Sequence, residues 1–379
     1  MKFIHTSDWH LGRQLHHQSL LEDQAHVLEQ IIAFAAEHEV DAVIVAGDIY
    51  DRSVPPAQAV ALLDRVLTRL LDELKVKVIM IAGNHDGHER LSFAAKQMQA
   101  SGLYIVGPLS ATICPIVLPG QGGSEYHFWA LPYFDPATAR QVFSSECASH
   151  EQAMATVLEH CQRDNSAAGN ILISHCFIDG GSESESERPL SIGGADKISP
   201  QLLQDFDYVA LGHLHGPQYK GAKHVRYSGS ILKYSFSEQH QHKSVTLVEF
   251  DADGGVDWQL LPLTPARDVR IIETDLATLL EEGPSDPANQ DYVMVRLTDS
   301  HAILDAMAKV RQAYPNVLHL ERMGLMQQNQ SVKVNREHIQ KGELNMFCDF
   351  FEQVSGSTLS VQQQDCVQNL IQSLHESKD

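Results

Sequence analysis

The sequence has few basic residues for its length. Of 379 residues, 28 are Lys or Arg and 49 are Asp or Glu, which gives a net charge of −21. A strongly acidic chain repels polyanions at long range, so charge taken alone argues against a nucleic-acid partner. It does not indicate disorder, because 43% hydrophobic and 20% charged residues are ordinary values for a globular protein.

Paired cysteines and long apolar runs are also missing. The six cysteines form no C-x-x-C pair, which is typical of a reduced intracellular protein rather than of a disulfide framework. The start, MKFIHTSDWH, lacks the apolar region of a signal peptide, and no apolar run approaches the roughly 18 residues of a membrane span. No G-x-x-x-x-G-K-[ST] motif is present, so we expect no P-loop nucleotide site. We therefore expect a cytoplasmic protein that has no membrane partner and binds no nucleotide itself.

What is present is an alternation of strands and helices over the first 215 residues. Short β-rich runs are separated by segments in which apolar residues recur at helical spacing. The runs are Phe3–Thr6, Ala42–Ala46, Val76–Ala82, Ile171–Ser174 and Tyr208–Leu211. This pattern predicts an α/β fold, with parallel strands covered by helices on both faces.

The pattern changes after Gly216. Three further β-rich segments, His224–Tyr227, Val245–Phe250 and Val256–Leu263, predict a second, more antiparallel sheet in the same domain. We expect a two-sheet sandwich flanked by helices over residues 1–264, followed by a small α+β domain over residues 265–335.

Residues 336–379 read as a helical tail. Apolar stripes predict helices near Glu343–Gln353 and Val361–Leu374. Two interpretations stay open, namely a helical hairpin packed on its own domain and a docking surface for a partner helix.

Five polar motifs follow the ends of predicted strands. They are Asp8-Trp9-His10, Gly47-Asp48, Gly83-Asn84-His85-Asp86, His175 and Gly212-His213-Leu214-His215. In open α/β sheets, sites form beyond the carboxyl ends of the strands. Carboxylate, imidazole and amide ligands suit Mn, Fe or Zn better than Ca, and the lack of thiolates argues against a structural zinc site. Each motif alone is weak, but five motifs in this order predict a metal site.

The order D-x-H, G-D, G-N-H-D, H, G-H-x-H resembles the calcineurin-like metallophosphoesterase superfamily and, within it, the nuclease subunits of SbcCD-type complexes. The likeness extends to HTSDWHLG at residues 5–12, AGDIYD at 46–51, SESERPLSIGGADKI at 184–198 and YSGS at 227–230. It is strong up to about residue 263. Beyond that point the family has a capping domain and a helical region that meets a partner ATPase.

The resemblance implies a site with two divalent ions, usually Mn²⁺. The residues that would hold the first ion are Asp8, His10, Asp48 and His215, and those that would hold the second are Asp48, Asn84, His175 and His213. Asp48 would bridge the two ions. His85 would lie near the leaving oxygen as general acid or charge stabiliser. Two such ions, roughly 3.5–4 Å apart, can clamp a phosphodiester and activate water.

The activity implied by the resemblance is that of a DNA phosphodiesterase. It would act as an ATP-dependent double-strand exonuclease and a single-strand or hairpin endonuclease in DNA repair and recombination. The implied partners are DNA, an SbcC-type coiled-coil ATPase subunit and a second copy of the chain.

Two other functions are weighed against the nuclease. One is a phosphatase or cyclic-nucleotide phosphodiesterase on the same scaffold. Purple acid phosphatases carry a tyrosine three residues after the bridging aspartate, where this chain has Asp51. The other is a non-catalytic scaffold, which is disfavoured because all seven ligand positions are filled.

Several residues near the motifs have open roles. Asp51 and Asp86 either orient a ligand histidine or serve in a turn or helix cap. Arg52 and Arg90 either contact substrate phosphate or face solvent. The stretch Ser182–Glu187 predicts an exposed loop, and if it lies near the site its negative charge would disfavour non-specific duplex binding.

Overall fold

The computed structural model describes residues 1–164, 166–188, 190, 196–251, 254–323, 344, 347–348, 351 and 358–376. The chain forms two compact units, Met1–Ala266 and Arg267–Asp379. The predicted boundary after residue 335 and most of the predicted helix near Glu343–Gln353 lie outside the described residues.

The first unit consists mainly of two six-stranded sheets. Its strands in chain order are β1 (Lys2–Thr6), β2 (Gln14–Leu15), β3 (Gln18–Ser19), β4 (Ala42–Val45), β5 (Lys77–Ile81), β6 (Leu103–Val106), β7 (Ile116–Pro119), β8 (Glu125–Leu131), β9 (Gly169–His175), β10 (Phe177–Ile178), β11 (Lys197–Ile198), β12 (Tyr208–Gly212), β13 (Gln218–Lys220), β14 (Ala222–Tyr227), β15 (Ser244–Phe250) and β16 (Val256–Pro262). Two short pairs, β2 with β3 and β10 with β11, lie outside the large sheets.

The first sheet has the order β16-β15-β1-β4-β5-β6. Strands β1, β4, β5 and β6 are parallel, whereas β15 and β16 are antiparallel to their neighbours. The prediction that β15 and β16 belong to a second sheet is therefore wrong. They extend the first sheet beside β1, because an antiparallel pair can join any open edge and its local pattern does not specify which one.

The second sheet has the order β13-β14-β12-β9-β8-β7. Its four central strands, β14, β12, β9 and β8, are parallel. Both sheets thus place several carboxyl strand ends at an edge where side chains can converge.

One apolar core lies between the two sheets. Phe3 of β1 packs edge-on against Phe128 of β8, with ring centroids 5.6 Å apart, and against Tyr208 of β12 at 5.7 Å. All three side chains are buried. A second apolar cluster covers the other face of the second sheet, where Trp129 and Leu172 are buried with Met154 and Val157 of a helix. The predicted α/β sandwich is confirmed.

The helices of the first unit are α1 (Leu21–Glu37), α2 (Ala57–Thr68), α3 (His88–Leu91), α4 (Ala95–Met98), α5 (Pro136–Phe143) and α6 (His150–Glu159). A π-helical turn, Arg69–Glu73, continues α2. Helix α1 buries Val27, Leu28, Ile31 and Ile32 on one stripe, as expected for an amphipathic helix on a sheet.

The described part of the second unit is a small three-stranded sheet with helices. Its elements are β17 (Val269–Thr274), α7 (Leu276–Glu282), β18 (Tyr292–Leu297), α8 (Ala306–Ala313), β19 (Val317–Arg322) and α9 (Val361–Glu376). The strands, predicted as part of an α+β domain, are parallel in the order β17-β18-β19. Among the described residues, none of the helices is long and apolar enough to span a membrane.

Candidate metal centre

The loops after β1 and β4 are fixed to each other by backbone hydrogen bonds. The amide of Asp8 donates to Gly47 O at 3.0 Å, and the amide of His10 donates to Asp48 O at 2.9 Å. Asp8, His10 and Asp48 have positive φ values of 52°, 44° and 51°. Left-handed backbone at a non-glycine residue costs on the order of 1–3 kcal/mol and is found mainly at functional sites. The surrounding fold therefore holds these side chains in fixed, strained positions.

Two glycines allow the motifs to approach one another closely. Gly47 has φ +91°, and a Cβ there would lie 2.3 Å from Nδ1 of His175. A Cβ on Gly83 would lie 2.1 Å from Oδ1 of Asp48. These glycines permit close backbone approach, since a side chain at either position would collide with His175 or Asp48.

The four residues predicted to hold the first ion lie together. One ligand atom each of Asp8, His10 and His215 lies within 4.8 Å of the others, and all three residues are buried. Nε2 of His10 is 3.2 Å from Nε2 of His215 and 3.6 Å from Oδ2 of Asp48. Both oxygens of Asp8 accept from the amide of His213 at 3.1 Å, which ties the β1 loop to the β12 loop.

The residues predicted to hold the second ion lie around His175. Nε2 of His175 lies 3.5 Å from Oδ2 of Asp48 and 2.9 Å from Oδ1 of Asn84. Nδ1 of His175 faces Ala46 O at 2.9 Å, and because a carbonyl only accepts, this nitrogen carries the proton. The His213 ring lies beside that of His175, with centroids 5.5 Å apart. In the neutral ring Nε2 then has a lone pair, and its close approach to Oδ1 of Asn84, which also only accepts, is the arrangement of two donors to one cation.

The electrostatics of the cluster fit divalent cations. Burial and the neighbouring carboxylate of Asp48 raise the pKa of Asp8 well above its usual value. Burial lowers the pKa of His10, His175 and His213, so these imidazoles are neutral near pH 7. In the described part of the chain, no Lys or Arg lies within ion-pair distance of Asp8 or Asp48. Neutral imidazoles around unpaired buried carboxylates are the donor set that such ions require.

Asp86 and Asp51, whose roles were open, do different things. Asp86 accepts from the amides of Ile49, Tyr50 and Gly83 at 2.9–3.1 Å, so it braces the loops from within. Asp51 lies in the site itself. Its Oδ1 is 3.7 Å from Nδ1 of His10, too long for a hydrogen bond, and it forms a third potential ligand group with His10 and His85.

His85 lies at the open side of the cluster. Its amide donates to Oδ1 of Asp48 at 2.9 Å, and its Nδ1 faces the carbonyl of Asp51 at 2.9 Å. The carbonyl only accepts, so Nδ1 carries a proton. Nε2 lies 4.0 Å from Oδ2 of Asp48. Among the five histidines of the site, His85 is the most accessible, with 12% of its side chain exposed.

The sequence did not indicate a second group of buried polar residues behind His215. Nδ1 of His215 contacts Ser186 Oγ at 2.6 Å and Oε1 of Glu238 at 3.3 Å. Its amide donates to Oε1 of Glu187 at 2.8 Å. Nζ of Lys243 donates to Oε2 of Glu238 at 2.6 Å, and although burial works against ionisation, this ion pair holds the pKa of Glu238 well below its usual value.

The loop Ser182–Glu187 is therefore only partly exposed. Glu183 and Glu185 are exposed, as predicted, whereas Ser186 is 8% exposed and is buried against the site. The composition of the loop suggests a surface segment, because its alternating acidic residues carry no signal for burial. Ser186 is nevertheless buried, because its hydroxyl donates a hydrogen bond to Glu238, 52 residues away.

A cleft of about 570 Å³ opens beside the cluster. Its walls include Asn84, His85 and three arginines, Arg13, Arg52 and Arg188. Arg13 is fixed by Asp51 at 3.1 Å and by the carbonyl of Ser186 at 3.0 Å. Arg52 is 75% exposed and lies 3.6 Å from Asp51. Arg90, the other arginine considered for phosphate contact, is exposed on α3 and does not line this cleft.

Comparison with known proteins identifies the class. The family model for calcineurin-like phosphoesterase matches residues 1–217. A second model, described as type 5 capsule protein repressor C-terminal domain, matches residues 265–355. The chain belongs to the calcineurin-like phosphoesterase family, and it is accordingly a metal-dependent hydrolase of phosphodiester bonds.

A close relative extends over nearly the whole chain. The chain is 35% identical over 375 residues to the SbcD subunit of the nuclease SbcCD from Staphylococcus epidermidis, and the alignment covers 98% of each protein. Two solved structures are more distantly similar. A dimetal phosphatase from Danio rerio has a TM-score of 0.42 at 12% identity and covers 70% of this chain and 99% of its own. GAP50, the anchor in the inner membrane complex of Plasmodium, has a TM-score of 0.41 at 12% identity and covers 85% and 97%.

Proposed function

We propose that the chain is the nuclease subunit of an SbcCD-type complex, which hydrolyses DNA as an ATP-dependent double-strand exonuclease and a single-strand or hairpin endonuclease in repair and recombination. The observation that carries the proposal is the position of the arginine-lined cleft. It opens directly beside His85 and Asn84, and its walls carry three arginines, Arg13, Arg52 and Arg188, beside the carboxylates of Asp51 and Asp86. The 35% identity to a named nuclease subunit supports the same substrate class.

The proposed ligands are Asp8, His10, Asp48 and His215 for one ion and Asp48, Asn84, His175 and His213 for the other. The mixed nitrogen and oxygen donors favour Mn²⁺ over Mg²⁺, which prefers oxygen ligands. When bound, two such ions supply the positive charge that polarises the scissile phosphate and lowers the pKa of water.

His85 is proposed to stabilise the negative charge that develops on the leaving oxygen. Its Nδ1–H is fixed on the Asp51 carbonyl, so Nε2 is the atom left to face substrate. A protonated Nε2 can donate to the departing sugar oxygen as a general acid. Because His85 is held by Asp48 through its amide, it stays aligned with the ligand carboxylate.

The arginines select a polymeric substrate. Arginine forks bind phosphate oxygens in pairs, and phosphates on either side of the scissile bond give a polynucleotide more than one such contact. No carboxylate among the described residues forms an ion pair with Arg188, so its full charge is available to substrate.

The partner ATPase is proposed to dock on the tail. Helix α9 exposes two apolar side chains, Val361 at 74% and Leu370 at 56%. An SbcC-type coiled coil offers a helix against which exposed apolar side chains of the tail can pack. We also propose a homodimer in the assembled complex and a cytoplasmic location.

The decisive experiment measures Mn²⁺-dependent cleavage of linear duplex and hairpin DNA beside hydrolysis of bis(p-nitrophenyl) phosphate and p-nitrophenyl phosphate, with and without the partner ATPase. The wild-type chain is expected to cleave both DNAs. His85→Ala should still bind Mn²⁺ and lose cleavage by roughly 10²–10⁴-fold, as for removal of a general acid.

The variant Arg188→Gln tests whether the cleft distinguishes DNA from a small phosphodiester. It should slow DNA cleavage while leaving hydrolysis of bis(p-nitrophenyl) phosphate unchanged, because the small diester has no flanking phosphate. Arg90→Gln, an exposed arginine outside the cleft, is the matched control and should change neither rate. Intact DNA together with rapid hydrolysis of the monoester would show a phosphatase on the same scaffold.

A further inference from the structure

His215 has more hydrogen-bond partners than His10, the other histidine proposed to hold the same ion. Nδ1 of His215 has the contacts to Ser186 and Glu238, and its amide is bound by Glu187. Nδ1 of His10 has no hydrogen-bond partner among the described residues. The Nε2 atoms of the two rings nevertheless face each other at 3.2 Å. The two rings converge on one point, but only His215 is supported from behind.

The support is a buried ion pair extended by a hydroxyl. Glu238 is 0% exposed, Lys243 6% and Ser186 8%. Besides Glu238, Nζ of Lys243 donates to the carbonyl of His215 at 2.8 Å and to Ser230 Oγ at 2.8 Å. Burying a charged pair costs free energy that apolar packing would avoid, so the pair is weak evidence for a purely stabilising role. The carbonyl contact and the imidazole contact both end on His215.

The hydrogen-bond partners of His215 determine its tautomer. Glu238, paired with Lys243, only accepts, and the single proton of the Ser186 hydroxyl is donated to its Oε1. Ser186 Oγ can then only accept from Nδ1 of His215, so Nδ1 carries the imidazole proton. A neutral imidazole has one N–H, which leaves Nε2 with a lone pair.

We propose that Ser186 and Glu238 are positioning residues, which hold the His215 imidazole in one tautomer and one orientation with Nε2 facing His10 and Asp8. The inference rests on the proposed metal centre. It assigns to the acidic loop Ser182–Glu187 a part in assembling the centre, through Ser186 on the ring and Glu187 on the backbone. Partners of this kind typically contribute 10–100-fold to metal affinity.

The test is a Mn²⁺ titration of the full chain by calorimetry, with free Mn²⁺ followed in parallel by electron paramagnetic resonance. Ser186→Ala and Glu238→Gln are expected to weaken one of the two ions by roughly 10–100-fold and the other much less. Ser186→Thr keeps a hydroxyl at the same place and should restore most of the affinity. Ser182→Ala removes an exposed hydroxyl from the same loop and is the matched control, with affinity equal to wild type.

Thermal unfolding of each metal-free variant separates positioning from structure. A lower unfolding temperature with unchanged Mn²⁺ affinity would mean that the two residues only stabilise the fold, and it would overturn the proposal. Two ions bound with wild-type affinity by both variants would overturn it as well. If Glu238→Gln does not fold because Lys243 loses its partner, Ser186→Ala decides alone.

The outcome is independent of nuclease activity, since no nucleic acid is present. A wild-type chain that binds two ions but leaves DNA intact contradicts the proposed function and not this inference. A wild-type chain that binds no Mn²⁺ contradicts the metal centre itself.

Discussion

At the scale of single residues, the site depends on glycines, which have no side chain, as well as on the ligand side chains. Gly83 lies against Asp48, and a methyl group there would meet Oδ1 at 2.1 Å and the backbone nitrogen at 2.3 Å. Neither atom can move far, because Asp48 is in left-handed backbone and its Oδ1 accepts from His85.

Gly83→Ala is therefore expected to displace Asp48 and to weaken Mn²⁺ binding by about tenfold or more, in the range found when ligand geometry is disturbed. Calorimetric titration with Mn²⁺ measures the effect. Gly216→Ala is the control, since its Cβ would meet nothing closer than Gln241 at 3.4 Å. Equal Mn²⁺ affinities for the two variants would show that the loop after β5 can shift to accommodate the methyl group.

At the scale of elements, the helices of the second cluster are fixed by side-chain caps. Asp135 begins α5 and accepts from the amide of Thr138 at 2.7 Å, and Ser149 begins α6 and accepts from Gln152 at 3.2 Å. Partial burial works against ionisation of Asp135, but the hydrogen bonds from Thr138 lower the pKa of Asp135 below its ordinary value of 3.8.

Replacing either cap by alanine is expected to cost about 1 kcal/mol near pH 7. Because the folded-state pKa of Asp135 is depressed, its contribution is present above pH 3.8 and is lost as the pH falls from 3.8 through the folded value. The urea midpoint of Asp135→Ala should thus approach that of wild type in acid. Ser149→Ala has no ionisable group and should keep a constant difference, so parallel pH profiles for the two variants would contradict this account.

The sequence predicts the elements that position the site better than it predicts their assembly. All five strands that end in a polar motif form where expected, because short β-rich runs are local signals. The prediction that β15 belongs to the second sheet is wrong, since its pairing with β1 depends on an edge formed by residues more than 200 positions away. Ser186 and Arg188 were missed for the same reason, because their significance comes from neighbours that only the fold supplies. The ligand roles of the seven motif residues stay predictions.

At the scale of the whole molecule, the net charge of −21 has a narrow meaning. It opposes DNA at long range, while Arg13, Arg52 and Arg188 are gathered at the cleft. The isolated chain is thus expected to bind DNA weakly, and firm binding is expected to come from the complex.

A salt titration tests this. Three arginines neutralise at most about three phosphates, so log K for duplex DNA should fall against log[salt] with a slope no steeper than about −3. Adding the ATPase partner should raise both the affinity and the slope. Deleting residues 341–379 should abolish that gain and leave the isolated chain's own affinity unchanged. A slope near −10 without the partner would show a basic surface outside the cleft.

The position of β1 between β15 and β4 also determines when the fold can be completed during synthesis. Strand β4 follows β1 by fewer than 40 residues, but β15 begins about 240 residues after it. At about 5–20 residues per second, roughly 12–50 s pass between the emergence of the two strands. Throughout that interval one edge of β1 has no native partner. Lys243 and Glu238, which contact His215 or its neighbours, are synthesised only at the end of the interval. The metal centre is therefore among the last parts of the first unit that the ribosome allows to form.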